Sequence, residues 1–188
     1  MKQPPHLGSF SIPNAIALLT RATHFAARAH KDQRRKGLNA EPYINHCLEV
    51  AELVANACNP GDIEVVVAAL LHDTVEDVGV TKADLVREFG PRVAELVISV
   101  SDDKSLSKEV RKDLQIEKAK ELPRDAKLIK ISDTISNLRM LPHGWTRDRQ
   151  NQYVSWIKTV VEACGPVDEK LDALFTEALA GAAIVQTE

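Results

Sequence analysis

The stretch from Ile63 to Leu71, apolar but for Glu64, is fit for a protein core, and it runs straight into His72-Asp73-Thr74-Val75-Glu76-Asp77. Carboxylates placed beside such a run are costly to desolvate, and metal coordination is one of the few ways to offset that cost. On a continuous helix, residues four apart share a face. His72 then lies over Glu76 and Asp73 over Asp77, in two columns that diverge by about 100°. The pattern predicts a metal site with a general acid or base beside it.

The remainder of the chain reads as helices. Three- and four-residue steps of apolar residues predict helices over 12–30, 43–58, 62–77, 81–89, 92–100, 109–122, 125–141, 147–163 and 167–180. Asp62 is the expected cap of the central one, and Thr81 with Asp84 forms a capping-box pattern. Pro42, Gly90-Pro91, Pro123, Pro142 and Gly165-Pro166 punctuate the series. With no period-two strand and no internal repeat, the expected fold is all-α, one bundle-like domain of roughly eight or nine helices. Residues 1–11 read as a flexible leader, 12–180 as the domain and 181–188 as a short tail.

Composition removes several classes of function. Aromatic residues make up 4% of the 188 and the net charge is −3, which argues against a base-stacking platform or wholesale nucleic-acid binding. A polyanionic substrate must therefore be drawn by local basic clusters. Three cysteines, Cys47, Cys58 and Cys164, contain no C-x-x-C pair; neither a disulfide framework nor a thiolate zinc site is indicated, and a reducing cytoplasm fits. No apolar run approaches the roughly 18 residues of a membrane span. The assembly state is left open.

A single histidine such as His46 is more often a hydrogen-bonded structural residue than a ligand. Four elements together change that reading: His46 on one helix, His72-Asp73 on a second, Asp133 within an apolar stretch of a third, and Glu76-Asp77 beside them. Two imidazoles and two carboxylates without a thiolate suit manganese, iron or zinc with positions left open for substrate.

These segments resemble the HD-domain phosphohydrolases, and within them the small alarmone hydrolases related to the hydrolase half of Rel/SpoT proteins. The resemblance runs from about Arg21 to Trp156, through Ala29-His30-Lys31-Asp32-Gln33-Arg34-Arg35-Lys36, Pro42-Tyr43-Ile44-Asn45-His46, Leu71-His72-Asp73-Thr74-Val75-Glu76-Asp77 and Lys130-Ile131-Ser132-Asp133-Thr134-Ile135-Ser136-Asn137-Leu138-Arg139. It implies a manganese ion held by His46, His72, Asp73 and Asp133, and removal of the 3′-diphosphate from guanosine tetra- and pentaphosphate to give GDP or GTP. The chain departs from the common pattern in two places. Cys47 stands where a proline often follows the first histidine, and Asp133-Thr134-Ile135-Ser136-Asn137 replaces Asp-Arg-Leu-His-Asn.

Within that resemblance, Glu76 and Asp77 are the expected catalytic pair, sharing a proton, orienting water and assisting the leaving group. Arg35 and Lys36 are expected on substrate phosphates, Asn137 on ribose or base, and Lys130 and Arg139 as further phosphate contacts. The partner implied is a small-molecule nucleotide, with neither nucleic acid nor membrane. Two rivals stand beside this reading: an HD phosphohydrolase acting on another nucleotide such as NADPH, and a non-catalytic nucleotide-binding scaffold.

Overall fold

Ten helical segments build the molecule in the computed structural model, which describes residues 11–184 apart from Leu38 and His143. They are α1 (Ile12–Ala29), α2 (Ile44–Ala57), α3 (Ile63–Leu71), α4 (Thr74–Val78), α5 (Lys82–Phe89), α6 (Pro91–Val100), α7 (Lys108–Glu121), α8 (Arg124–Arg139), α9 (Arg147–Cys164) and α10 (Glu169–Ile184). Among the described residues there is no strand, only an isolated bridge between Arg34 and Pro42. Residues 1–10 of the expected leader and 185–188 of the expected tail lie outside the described residues, and α10 continues through 181–184.

Two apolar clusters meet at α8. One gathers α1, α2, α3, α5 and α6 around Val65, Ala69, Leu85, Val93 and Ile129; the other packs α9 and α10 against Leu128, Ile131, Ile135 and Leu138. Since α8 faces both, it is buried nearly all round, including the polar Ser132, Thr134 and Ser136. A helix enclosed in this way carries no single apolar stripe.

The expected helix over 62–77 is interrupted, which accounts for ten segments where nine were read. At its C-terminal end the side chains of His72 and Thr74 take the carbonyls of Ala69 (2.8 Å) and Leu71 (2.7 Å), doing what the next turn's amides would otherwise do. Asp73 then sits at φ −94°, ψ −4°, and the chain restarts as α4. Gly79, at φ +73°, ends α4 in the left-handed region where glycine carries no Cβ penalty.

Asp62 precedes α3 but its side chain does not cap it. The carboxylate instead receives both terminal nitrogens of Arg92 at 2.7 Å, and the same guanidinium reaches Glu64 at 3.0 Å and Asp125 at 2.9 Å. One arginine therefore pins the starts of α3, α6 and α8. The Thr81–Asp84 capping box forms as expected. Residues 30–43, read as a polar connector, fold back on themselves: Arg35 N–H donates to the Glu41 carbonyl (2.9 Å) and Tyr43 N–H to that of Gln33 (3.1 Å).

Arg92→Ala leaves three carboxylates facing one another without a counter-charge. It is expected to cost about 2 kcal/mol, or about 4–8 °C in Tm, at neutral pH. A Tm equal to that of the wild type would contradict the network's role.

Candidate metal centre and adjoining grooves

His46 from the first turn of α2, His72 and Asp73 from the α3–α4 break, and Asp133 from α8 converge on one buried point. The two Nε2 atoms are 3.3 Å apart. Asp73 Oδ2 lies 3.4 Å from His46 Nε2 and 3.1 Å from His72 Nε2; Asp133 Oδ1 lies 3.3 and 3.7 Å from the same atoms. Neighbouring residues on a regular helix diverge and do not meet at one point. The interruption of the central helix is what lets His72 and Asp73 do so.

The partners of the other ring nitrogens decide what these atoms are. His72 Nδ1 faces the Ala69 carbonyl, which only accepts, so Nδ1 carries the proton. Ser136 Oγ donates to Glu49 Oε2 (2.6 Å) and therefore accepts from His46 Nδ1 (2.8 Å), fixing the same tautomer there. In their neutral forms both imidazoles thus point lone pairs at each other and at two carboxylate oxygens. Four acceptors facing one small space call for a cation, and the donor set fits a divalent ion bound by nitrogen and oxygen. His46, His72 and Asp133 offer ligand atoms all within 4.8 Å of one another.

Without an ion, protons take that place. Burial opposes charge on both rings, but the Asp73 and Asp133 carboxylates outweigh it, raising His46 and lifting His72 well above the ordinary imidazole value. Burial pushes Asp73 and Asp133 upward too, yet the imidazoles hold both below the usual carboxylate range, Asp73 well below it. Further contacts hold the carboxylates in place: Tyr43 O–H donates to Asp73 Oδ2 (2.6 Å) and Asn137 Nδ2 to Asp133 Oδ1 (2.7 Å). Burial also pushes the Cys47 thiol up to about 12, leaving it an unreactive core residue beside His46.

Glu76 and Asp77 have separate hydrogen-bond partners. Glu76 Oε2 accepts from Asp102 N–H (3.1 Å), Asp77 Oδ2 accepts from Gln33 Nε2 (2.7 Å), and the Lys104 ammonium stands between them, bonded to Asp77 and 3.8 Å from Glu76 Oε1. An ammonium occupies the position expected of a proton. Burial, with the Asp102 and Asp73 charges behind it, still raises Glu76 above the ordinary carboxylate value, against the pull of the Asp102 amide and Lys104.

A groove of 340 Å³ opens beside the cluster, and Arg35, Lys36, Asp77 and Asn137 line it together with Tyr43 and Tyr153. Arg35 is only 8% exposed and is anchored on α8, donating to the Ser136 carbonyl at 3.0 Å. Lys36 is exposed. Lys130 and Arg139 are not brought to this groove: Lys130 lies against residues 99–102 and α7, and Arg139 pairs with Glu49 at 2.8 Å. Tyr43, Ser136, Glu49, Gln33 and Lys104 escape a reading of the sequence for function, as they act through partners 27 to 90 residues away. The one available signal was Lys104's place in the polar loop 101–108, of a kind that often rims a site.

Residues 22–160 match the HD domain family. The chain is 41% identical over 172 residues to the guanosine-3′,5′-bis(diphosphate) 3′-pyrophosphohydrolase of Danio rerio, spanning 87% of this chain and 96% of the relative. It is 42% identical over 160 residues to the enzyme of that name in Homo sapiens, spanning 83% and 89%. A solved structure described as a metazoan orthologue of SpoT that hydrolyses ppGpp aligns with a TM-score of 0.83 at 40% identity, over 88% of this chain and 95% of that one.

Two outcomes follow from the cluster. Ser136→Ala removes the acceptor that fixes the His46 tautomer, so metal affinity, measured by titrating stripped protein, should fall about tenfold or more; an unchanged affinity would count against the contact. Metal must also displace protons from imidazoles whose affinity for them is raised. Affinity should therefore weaken as pH falls through that range. In metal-free protein the imidazoles' contribution to stability is full below their ordinary pKa and fades as pH rises through the raised values.

Proposed function

The chain belongs to the HD-domain family, and from that premise we propose that it is a metal-dependent hydrolase releasing the 3′-diphosphate of guanosine tetra- and pentaphosphate. The observation that carries this reading is the set of convergent acceptors, His46, His72, Asp73 and Asp133, at the edge of a groove holding Arg35, Lys36 and Asn137. Relatives at about 41% identity that bear that activity in their names support it.

In this reading His46, His72, Asp73 and Asp133 hold the ion, and manganese suits a thiolate-free set of nitrogen and oxygen donors. When bound, such an ion supplies Lewis acidity toward a phosphoryl oxygen and makes water a better nucleophile at neutral pH. The protein's own groups do the rest. Glu76, half-buried and with its pKa raised, is suited to take a proton from the attacking water and return it to the leaving oxygen. Asp77, tied to Gln33 and Lys104, orients the water. The exposed Lys36 ammonium meets substrate phosphate, while the Arg35 guanidinium supplies a fixed positive charge in the groove wall. Asn137 is committed to Asp133 through Nδ2, which leaves Oδ1 facing Arg35 and the groove.

Tyr43 closes the cluster on the groove side. Its phenol is raised well above the ordinary value by burial and then by Asp73, so it stays a neutral donor that holds the carboxylate and screens it from water. A cytoplasmic setting belongs to the same reading. No helix among the described residues is long and apolar enough to cross a membrane, and Cys47, Cys58 and Cys164 are free thiols.

The test is product analysis with metal-stripped protein resupplied with manganese and offered guanosine tetraphosphate, NADPH and ordinary nucleoside phosphates in parallel. GDP and diphosphate from the first, only with metal, are expected. Orthophosphate from NADPH alone would reassign the substrate, and no product from any would leave a binding scaffold. Asp133→Ala should lose metal and turnover together, whereas Glu76→Gln should retain metal while turnover falls about a hundredfold or more.

A further inference from the structure

His30, the residue that ends α1, is only 2% exposed and does not line the groove beside the metal centre. Its ring nevertheless reaches that groove through two neighbours. Nδ1 lies 2.6 Å from Gln33 Oε1, and Gln33 Nε2 donates to Asp77 Oδ2 at 2.7 Å. The imidazole also lies against the Tyr43 ring, with centroids 5.1 Å apart and planes tilted by 32°, and the Tyr43 phenol donates to Asp73. Both contacts come from the fold of the segment after α1. Gln33 N–H donates to the His30 carbonyl (3.0 Å) and Tyr43 N–H to that of Gln33 (3.1 Å), which sets residues 30, 33 and 43 beside one another.

The directions of these bonds are set from the groove inward. Asp77 Oδ2 accepts from the amide nitrogen of Gln33, so the carboxamide oxygen is left facing His30. That oxygen can only accept, and in its neutral form His30 therefore carries its proton on Nδ1. Nε2, left with a lone pair, is buried and has no hydrogen-bond partner among the described residues. An apolar side chain would fill the same space without stranding a polar atom, so packing alone does not account for a histidine here. The reverse arrangement, with the proton on Nε2 and the carboxamide turned over, would set Gln33 Oε1 against an Asp77 oxygen, acceptor against acceptor. On its other side Asp77 is held through Oδ1 by Lys104, a half-exposed side chain on a long flexible stem. Of the two holds, only the Gln33 amide is backed by a buried ring. We propose that His30 is a positioning residue, whose Nδ1–H fixes the Gln33 carboxamide and through it the direction of the Asp77 carboxylate at the groove. The proposal rests on the reading of the site as a hydrolase in which Asp77 orients the attacking water, and it extends that site to a residue that does not line the groove.

The experiment compares three variants with the wild type, after Tm and manganese affinity have been measured for each. His30→Phe keeps a ring beside Tyr43 but has no donor, His30→Asn keeps a donor near the place of Nδ1 but has no ring, and Gln33→Leu removes the link to Asp77. With manganese supplied and guanosine tetraphosphate as substrate, His30→Phe and Gln33→Leu should lower kcat about tenfold or more while KM and manganese affinity hold, the pattern of a misdirected group rather than a lost binding contact. His30→Asn should recover most of that loss. Equal losses in His30→Phe and His30→Asn, an unchanged His30→Phe, or losses that fall on KM or metal affinity would mark a packing role and overturn the proposal. Nitrogen NMR of the imidazoles supplies a readout that needs no turnover. Neutral His30 should show the Nδ1–H tautomer in the wild type, and Asp77→Asn, which no longer dictates the direction of the Gln33 amide, should let the Nε2–H tautomer appear. The Nε2–H tautomer in the wild type would overturn the proposal and leave the hydrolase reading standing. A wild type that shows the Nδ1–H tautomer but cleaves no guanosine tetraphosphate would instead sink that reading, and the role given to His30 with it.

Discussion

Two buried imidazoles and two half-buried carboxylates aim four acceptor atoms at one point. The two imidazole Nε2 atoms are 3.3 Å apart, and each lies 3.1–3.7 Å from an oxygen of Asp73 and of Asp133, an arrangement that is repulsive unless a cation stands among them. The surrounding chain serves to hold that arrangement rather than relieve it. Ser136 and Glu49 commit one ring, the Ala69 carbonyl commits the other, and Tyr43 and Asn137 fix the carboxylates. The contacts to the rings are all made through Nδ1, which leaves both Nε2 atoms directed at the cluster.

Two departures from regular helical geometry make the convergence possible. The break at His72-Asp73 turns adjacent residues toward a common point, and the enclosure of α8 lets Asp133, Ser136 and Asn137 face α2 and the groove from a helix with no exposed side. The first departure is local, driven by side chains that claim α3's last carbonyls. The second is a matter of layers, since α8 is the shared wall of both apolar clusters. Moving either would leave carboxylates in the core without their counter-charge.

How far this could be read from the sequence follows from the range of the forces concerned. Helix extents were legible because periodicity, proline and glycine act over a few residues, and the capping box at Thr81 was legible for the same reason. That His46, His72, Asp73 and Asp133 belong together could be read because residue types that are rare in a core stand out against it. What could not be read depends on contacts across the fold. Asp62 looks like a cap until Arg92, 30 residues on, claims it, and Arg139 looks like a phosphate contact until Glu49 does. The helix break was hidden too: His72 and Thr74 are compatible with a continuing helix, and only their hydrogen bonds backward end it. Ser136, visible only as a departure from the common family pattern, turns out to set the tautomer of His46.

The ammonium of Lys104 changes the meaning of the acidic pair. Two carboxylates sharing a proton would titrate together, and turnover would depend on a single state of the pair. With Lys104 bonded to Asp77 and more distant from Glu76, the two acids are separated in function. Asp77 is fixed in place by Lys104 and Gln33, whereas Glu76, whose pKa burial pushes upward, has its counter-charge at a greater distance. Arg111, its terminal nitrogen 3.9 Å from Glu76 Oε1 and 4.0 Å from Asp102 Oδ2, is a second and equally distant counter-charge beside the same acid.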